Sequence, residues 1–142
     1  MQQDDAAGRG QSRDLELARA RHAPAARQFT LIDSTAKKLR FVSHAAALLG
    51  LANVSVVHVR AEALNPAVPF DTVVARACAP LPKLVSTVAP LCGPHTRVVA
   101  MTGKWPDEEL AALPRGWRMT GSRELKVPGL AAARCVILLQ RA

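Results

Sequence analysis

Asp33 is the first residue of this chain whose type and position together suggest chemistry. It ends an apolar run, Gln28 to Ile32 (QFTLI), that reads as a β-strand. In an open parallel sheet, ligands bind outside the carboxyl ends of the strands, near the point where strand order reverses. A carboxylate there can accept hydrogen bonds from both ribose hydroxyls of a nucleoside cofactor. An acid is equally suited to starting the helix that follows, so position alone leaves both roles open. The next apolar run, Val54 to Val59 (VSVVHV), leads into Arg60-Ala61-Glu62, and the one after it, Asp71 to Ala75, leads into Arg76. Three successive strand ends therefore carry polar residues, as a nucleoside crevice requires. No acid–base pair stands out as a catalytic device.

The elements that must position these residues alternate between short apolar runs and helical patterns, which predicts an α/β chain with a parallel sheet. After Asp33, Ser34 is the expected cap of a helix. That helix places Leu39, Val42, Ala46 and Leu49 on one face and closes at Gly50. A second helix is expected over about Leu84 to Leu91, followed by a strand from Arg97 to Met101. Pro106 suits the first turn of a third helix, whose Asp107, Glu108 and Glu109 complement the positive helix end. Two extended segments, Trp117 to Lys126 and Arg134 to Gln140, flank a Val127 to Ala133 loop and suit an antiparallel pair. Residues 1–27 read as a polar, Arg-rich leader, disordered or helical over Asp14 to Arg21, and residues 28–142 as the folded domain.

Composition bounds the function. The 142 residues suffice for one domain, and 49% apolar content is too high for a disordered chain. No apolar run reaches the roughly 18 residues of a membrane span. Cys78, Cys92 and Cys135 follow no metal-ligand spacing and suit a reducing cytosol, so neither a zinc site nor a disulfide framework is expected. His22, His44, His58 and His95 are scattered and read as ordinary surface or core residues. The formal net charge of +8 favours a polyanionic partner, because each neutralised phosphate releases condensed counterions.

Several of these segments, in this order and spacing, resemble one family. FTLIDSTAKKLRFV (Phe29 to Val42), VRAEAL (Val59 to Leu64), FDTVVARACAPLPKLV (Phe70 to Val85), GKWPDEELAALPRGW (Gly103 to Trp117) and LKVPGLAAARCVILLQR (Leu125 to Arg141) are similar to the RsmG/GidB family of bacterial small-subunit rRNA methyltransferases. The resemblance implies a Rossmann-like class I methyltransferase fold, with helices on both faces of the sheet. It also implies S-adenosylmethionine as methyl donor and N7 of a guanine in 16S rRNA as acceptor, in naked rRNA or in a small-subunit particle. By the same resemblance Asp33 meets the cofactor ribose, Ala61 and Glu62 lie along the adenine, and Arg76 lines the methyl-transfer crevice. Lys37, Lys38 and Arg40 join the basic face offered to rRNA. Lys37 and Lys38 fall near a helix N-terminus, where the dipole disfavours cations, which supports a functional reason for their presence. A cytoplasmic monomer is expected.

Two positions depart from the family pattern. The family has a glycine-rich loop after its first strand, whereas this chain offers only Gly8-Arg9-Gly10, without a preceding apolar run. Gly8 and Gly10 lie 25 and 23 residues before Asp33, compatible with the roughly 20-residue spacing of related folds. The first strand and its loop are thus expected to be missing or degenerate, as in an N-terminally truncated form. That strand would lie between those at Gln28 and Asp71. The second departure is Thr102 in Met101-Thr102-Gly103, where the family carries lysine; Lys104 is the candidate replacement and a further rRNA contact. Two alternatives remain at this point: an inactive, basic RNA-binding remnant, and an NAD-dependent Rossmann oxidoreductase using the same strand-end acid.

Overall fold

A computed structural model of the chain describes residues 27–76 and 79–142. The leader through residue 26, with Gly8 and Gly10, lies outside the described residues, as does Cys78. The chain divides between Leu64 and Asn65 into two compact units.

The first unit holds strand β1 (Phe29–Asp33), helix α1 (Ala36–Leu48) and strand β2 (Val54–His58). The strands pair in parallel, in register from Phe29 opposite Val54 to Asp33 opposite His58. Parallel neighbours need a crossover rather than a tight turn, and α1 supplies it. Side chains alternate along a strand, so Phe29, Leu31 and Asp33 share a face with Val54, Val56 and His58. On α1, Leu39, Val42 and Ala46 recur at helical spacing and are buried. Leu31, Leu51, Val54 and Val56 pack against Val42 and Ala46.

Both ends of α1 differ from the sequence expectation. At the start, Thr35 rather than Ser34 occupies the cap position, and no side chain of that residue caps the helix. Instead the Asp33 carboxylate accepts the Thr35 N–H through Oδ1 at 2.7 Å. An aspartate readily accepts from the backbone two residues on, and here this gives a partner to one of the N–H groups that the helix start leaves without one. At the other end Leu49 does not join the core and is 44% exposed. The helix stops at Leu48, and Gly50 adopts a left-handed φ of 64°. The Gly50 N–H then reaches Ala47 O (3.1 Å) and the Leu51 N–H reaches Ala46 O (3.0 Å). This double closure turns Leu51 inward in place of Leu49.

The second unit holds β3 (Phe70–Arg76), α2 (Leu81–Val88), β4 (Cys92–Thr102), α3 (Asp107–Ala111), β5 (Trp117–Leu125) and β6 (Arg134–Arg141). Its sheet has the order β3-β4-β6-β5. β3 and β4 are parallel, and β6 runs antiparallel to both β4 and β5, as expected for the last two segments. Leu81, Leu84, Val85 and Val88 of α2 and Val98, Ala100, Ile137 and Leu139 of the sheet form the buried core. Among the described residues β1 pairs only with β2, and β3 only with β4.

Two polar contacts, one part-buried and one buried, hold α2. Its first N–H, from Leu81, donates to Glu109 Oε2 at 2.7 Å, so an acid of α3 serves a neighbouring helix as well as its own. Glu109→Ala should lower the unfolding free energy by about 1.5–3 kcal/mol, the range for a hydrogen bond to a charged group. Glu109→Gln, which keeps an acceptor, should cost less; urea denaturation of both variants checks this. At the far end the Cys92 thiol donates to Val88 O at 3.2 Å. Burial pushes its pKa up, partly offset by the Arg141 guanidinium. The native chain holds this proton more tightly than the unfolded one. The resulting stability is complete at neutral pH and is lost as pH climbs from about 9.0, the ordinary thiol value, through the raised native one. Cys92→Ala should therefore show a shallower loss of stability between pH 7 and pH 10 than the parent chain, measured by the same denaturation.

Candidate functional site

The carboxyl end of the first unit's strand pair gathers the polar groups. Asp33 is half-buried and held three ways. Its carbonyl accepts the Val59 N–H at 3.2 Å, its Oδ1 accepts the Thr35 N–H at 2.7 Å, and its place opposite His58 is set by the strand register. A carboxylate offers about four lone-pair sites, so it can accept more than one hydrogen bond at a time. Both roles left open by sequence are thus within the reach of this one side chain, and the helix-start role is realised in the structure.

Beyond β2 the chain makes a short 3-10 turn over Ala61–Ala63, closed by the Ala63 N–H to Arg60 O at 3.0 Å. Because β1 and β2 run in the same direction, this turn leaves the same end of the pair as Asp33. Ala61 is half-buried and Glu62 exposed. The structure brings Asp33, Ala61 and Glu62 to one edge. Two carboxylates, which can only accept hydrogen bonds, thus stand beside one small residue at this edge.

Arg76 and Lys104 belong to the second unit. Arg76 is the last residue of β3, half-buried, and pairs with Met101 near the end of β4. Lys104 is exposed in the turn that follows β4, so both stand at the carboxyl end of one parallel pair. Thr102, where the family carries lysine, is engaged locally. Its hydroxyl lies 2.8 Å from Cys135 Sγ and 3.3 Å from Lys104 O, tying the turn to β6.

The basic residues fall in two places. On α1, Lys37 and Arg40 are exposed and Lys38 is half-buried, with no acid in the helix's first turn. In the second unit, strand register places Arg76, Arg97, Arg118, Arg123 and Arg134 on the sheet face opposite the one that buries Val98, Ala100, Ile137 and Leu139. The strand residues of that face include no carboxylate. Sequence reading missed this concentration, because five arginines spread over four strands show no spacing signal until the register is known.

Two open cavities flank α1. One of about 550 Å³ is lined by Ser43, Ala46, Ala47, Gly50 and Val54, toward the amino end of β2. The other, of about 330 Å³, is lined by Ala36, Leu39, Arg40, Ser43, Val56 and His58, and it reaches the end that carries Asp33. Among the described residues no group of three His, Cys, Asp or Glu is placed to hold a metal ion. No described helix is long and apolar enough to cross a membrane.

Comparison with known proteins extends this picture. The family model for rRNA small subunit methyltransferase G (GidB) matches residues 17–137. The small-subunit rRNA methyltransferase G of Marinobacter nauticus is 41% identical over 116 residues, which is 82% of this chain and 54% of that protein. The chain thus spans about half the length of such relatives. Among solved structures, TrmN from Thermus thermophilus superposes with a TM-score of 0.63 at 19% identity, over 92% of this chain and 48% of that one. The N-methyltransferase NodS from Bradyrhizobium japonicum does so at 0.59 and 11% identity, over 80% of this chain and 73% of that one. The fold is the Rossmann-like α/β fold of class I methyltransferases. By its sequence match across most of its length, the chain belongs to the RsmG/GidB family of small-subunit rRNA methyltransferases.

Proposed function

We propose that residues 28–142 are the methyltransferase domain of an enzyme that transfers a methyl group from S-adenosylmethionine to N7 of a guanine in 16S rRNA. It acts as a cytoplasmic monomer, on free rRNA or on a small-subunit particle. The observation that carries this reading is the Asp33 carboxylate, half-buried and fixed at a strand end beside Ala61 and Glu62, in a chain of this family. Family membership does not favour the NAD-dependent alternative.

S-adenosylmethionine would supply an already activated methyl group on sulfur. Asp33 would accept the two ribose hydroxyls, while Ala61 and Glu62 would border the adenine. Arg76 would line the crevice where the acceptor guanine arrives, and Lys37, Lys38, Arg40 and Lys104 would meet RNA phosphates. No side chain has to remove a proton, since guanine N7 offers a lone pair and carries none. The protein's contribution is in-line placement and exclusion of water. Gly8 and Gly10 remain proposed members of the cofactor site.

Asp33→Ala should weaken S-adenosylhomocysteine binding at least about tenfold, as the loss of charged hydrogen bonds worth roughly 1.5–3 kcal/mol requires. Calorimetric titration of the folded variant measures it, and an unchanged affinity would remove Asp33 from the site. Binding of 16S rRNA fragments should fall steeply with salt. Where Lys37, Lys38 or Arg40 neutralises one phosphate, replacing it by alanine should flatten the slope of log K against log salt by about 0.7 to 0.9. A slope equal to that of the parent chain at all three positions would reduce this helix face to a solvated one. RNA binding without any cofactor binding would instead favour the inactive remnant.

A further inference from the structure

His58 has no part in the site as the sequence presents it, yet it touches the group that orients Asp33. Its Nε2 lies 2.9 Å from the carbonyl oxygen of Ser34. A carbonyl only accepts, so Nε2 is the donor. Ser34 C=O and Thr35 N–H belong to one peptide unit, and the Thr35 N–H is the donor to Asp33 Oδ1 at 2.7 Å. The two ends of a single planar peptide are therefore held by the two residues that face each other across the strand pair, His58 and Asp33. We propose that His58 is a positioning residue for the ribose-binding carboxylate, acting through the Ser34–Thr35 peptide. The inference rests on the reading of Asp33 given above.

The physical case is short. The Ser34–Thr35 peptide sits in the link between β1 and α1, where neither the strand ladder nor the helix ladder fixes its rotation. The ladder's last bond at this edge is the Val59 N–H to Asp33 O at 3.2 Å, and the helix begins at Ala36. Rotating the peptide would swing the Thr35 N–H away from Oδ1 and break that bond to the carboxylate. Donation from His58 to the carbonyl opposes that rotation. It also polarises the same peptide, so its N–H becomes a better donor to Asp33. The imidazole is exposed, so water competes for the bond and the effect on affinity is modest.

The test uses the full chain and three variants. In His58→Ala, Thr35 amide hydrogen exchange should accelerate in the ligand-free protein, and S-adenosylhomocysteine affinity should fall about three- to tenfold, the loss of one hydrogen bond. The melting temperature should barely move. His58→Gln, whose amide nitrogen reaches the place of Nε2, should restore both readouts; His58→Asn, one carbon shorter, should not. If the parent chain binds S-adenosylhomocysteine and His58→Ala matches it in affinity and exchange, the positioning role is wrong and the proposed function stands. If the alanine and glutamine variants both lose affinity together with global stability, His58 merely supports the fold and the inference is overturned. If the parent chain itself binds no S-adenosylhomocysteine, the proposed function falls and this inference with it.

Discussion

Two neighbouring strands place both their carboxyl ends at a common edge only if they run the same way, and parallel pairing requires a crossover between them. In the first unit that pairing is β1 with β2, in register from Phe29 opposite Val54 to Asp33 opposite His58. Everything the site needs follows from it. The register sets which side chains face α1, and the shared direction brings Asp33 and the Ala61–Ala63 turn to one end. The apolar positions Leu31, Val54 and Val56 then fix α1 against the strand pair through Val42 and Ala46. A one-residue slip of either strand would turn its member of the Asp33–His58 pair to the opposite face and separate the two.

The parts legible in the sequence were those with a local cause. β1, β2 and β3 are short apolar runs, α1 shows Leu39, Val42 and Ala46 at helical spacing, and the Val127 to Ala133 loop separates two extended segments. Asp33 and the Ala61-Glu62 pair were legible as strand ends. Other features depend on contacts that spacing does not encode. Glu109 reads as an acid serving its own helix, yet its carboxylate meets Leu81, 28 residues away. Ser34 and Thr35 are both good cap types, and neither prevails once the preceding carboxylate takes the N–H. His58 is a lone histidine until the register sets it opposite Asp33.

Charge followed the same division. The excess of basic residues was plain from composition, and the Lys37, Lys38 and Arg40 cluster from proximity along the chain. The five arginines on one face of the second sheet come from four strands and are assembled only by pairing. Guanidinium groups suit phosphate through planar, forked hydrogen bonding, so a sheet face free of carboxylates adds to the field that attracts a polyanion.

The chemistry proposed explains why the chain's residues are arrangers rather than reactants. In the proposed reaction guanine N7 would call for no general base, because it offers a lone pair and carries no proton. What remains for the protein is geometry, and misplacement of about 1 Å can cost on the order of a hundredfold in rate. That sensitivity gives weight to groups that never touch a substrate. In the proposed arrangement a histidine that steadies one peptide would help to set the direction of one carboxylate, and that carboxylate would help to set where a ribose sits. Position is then transmitted through hydrogen bonds of 2.9 Å and 2.7 Å, in a link where the backbone ladders leave one peptide to be fixed by side chains.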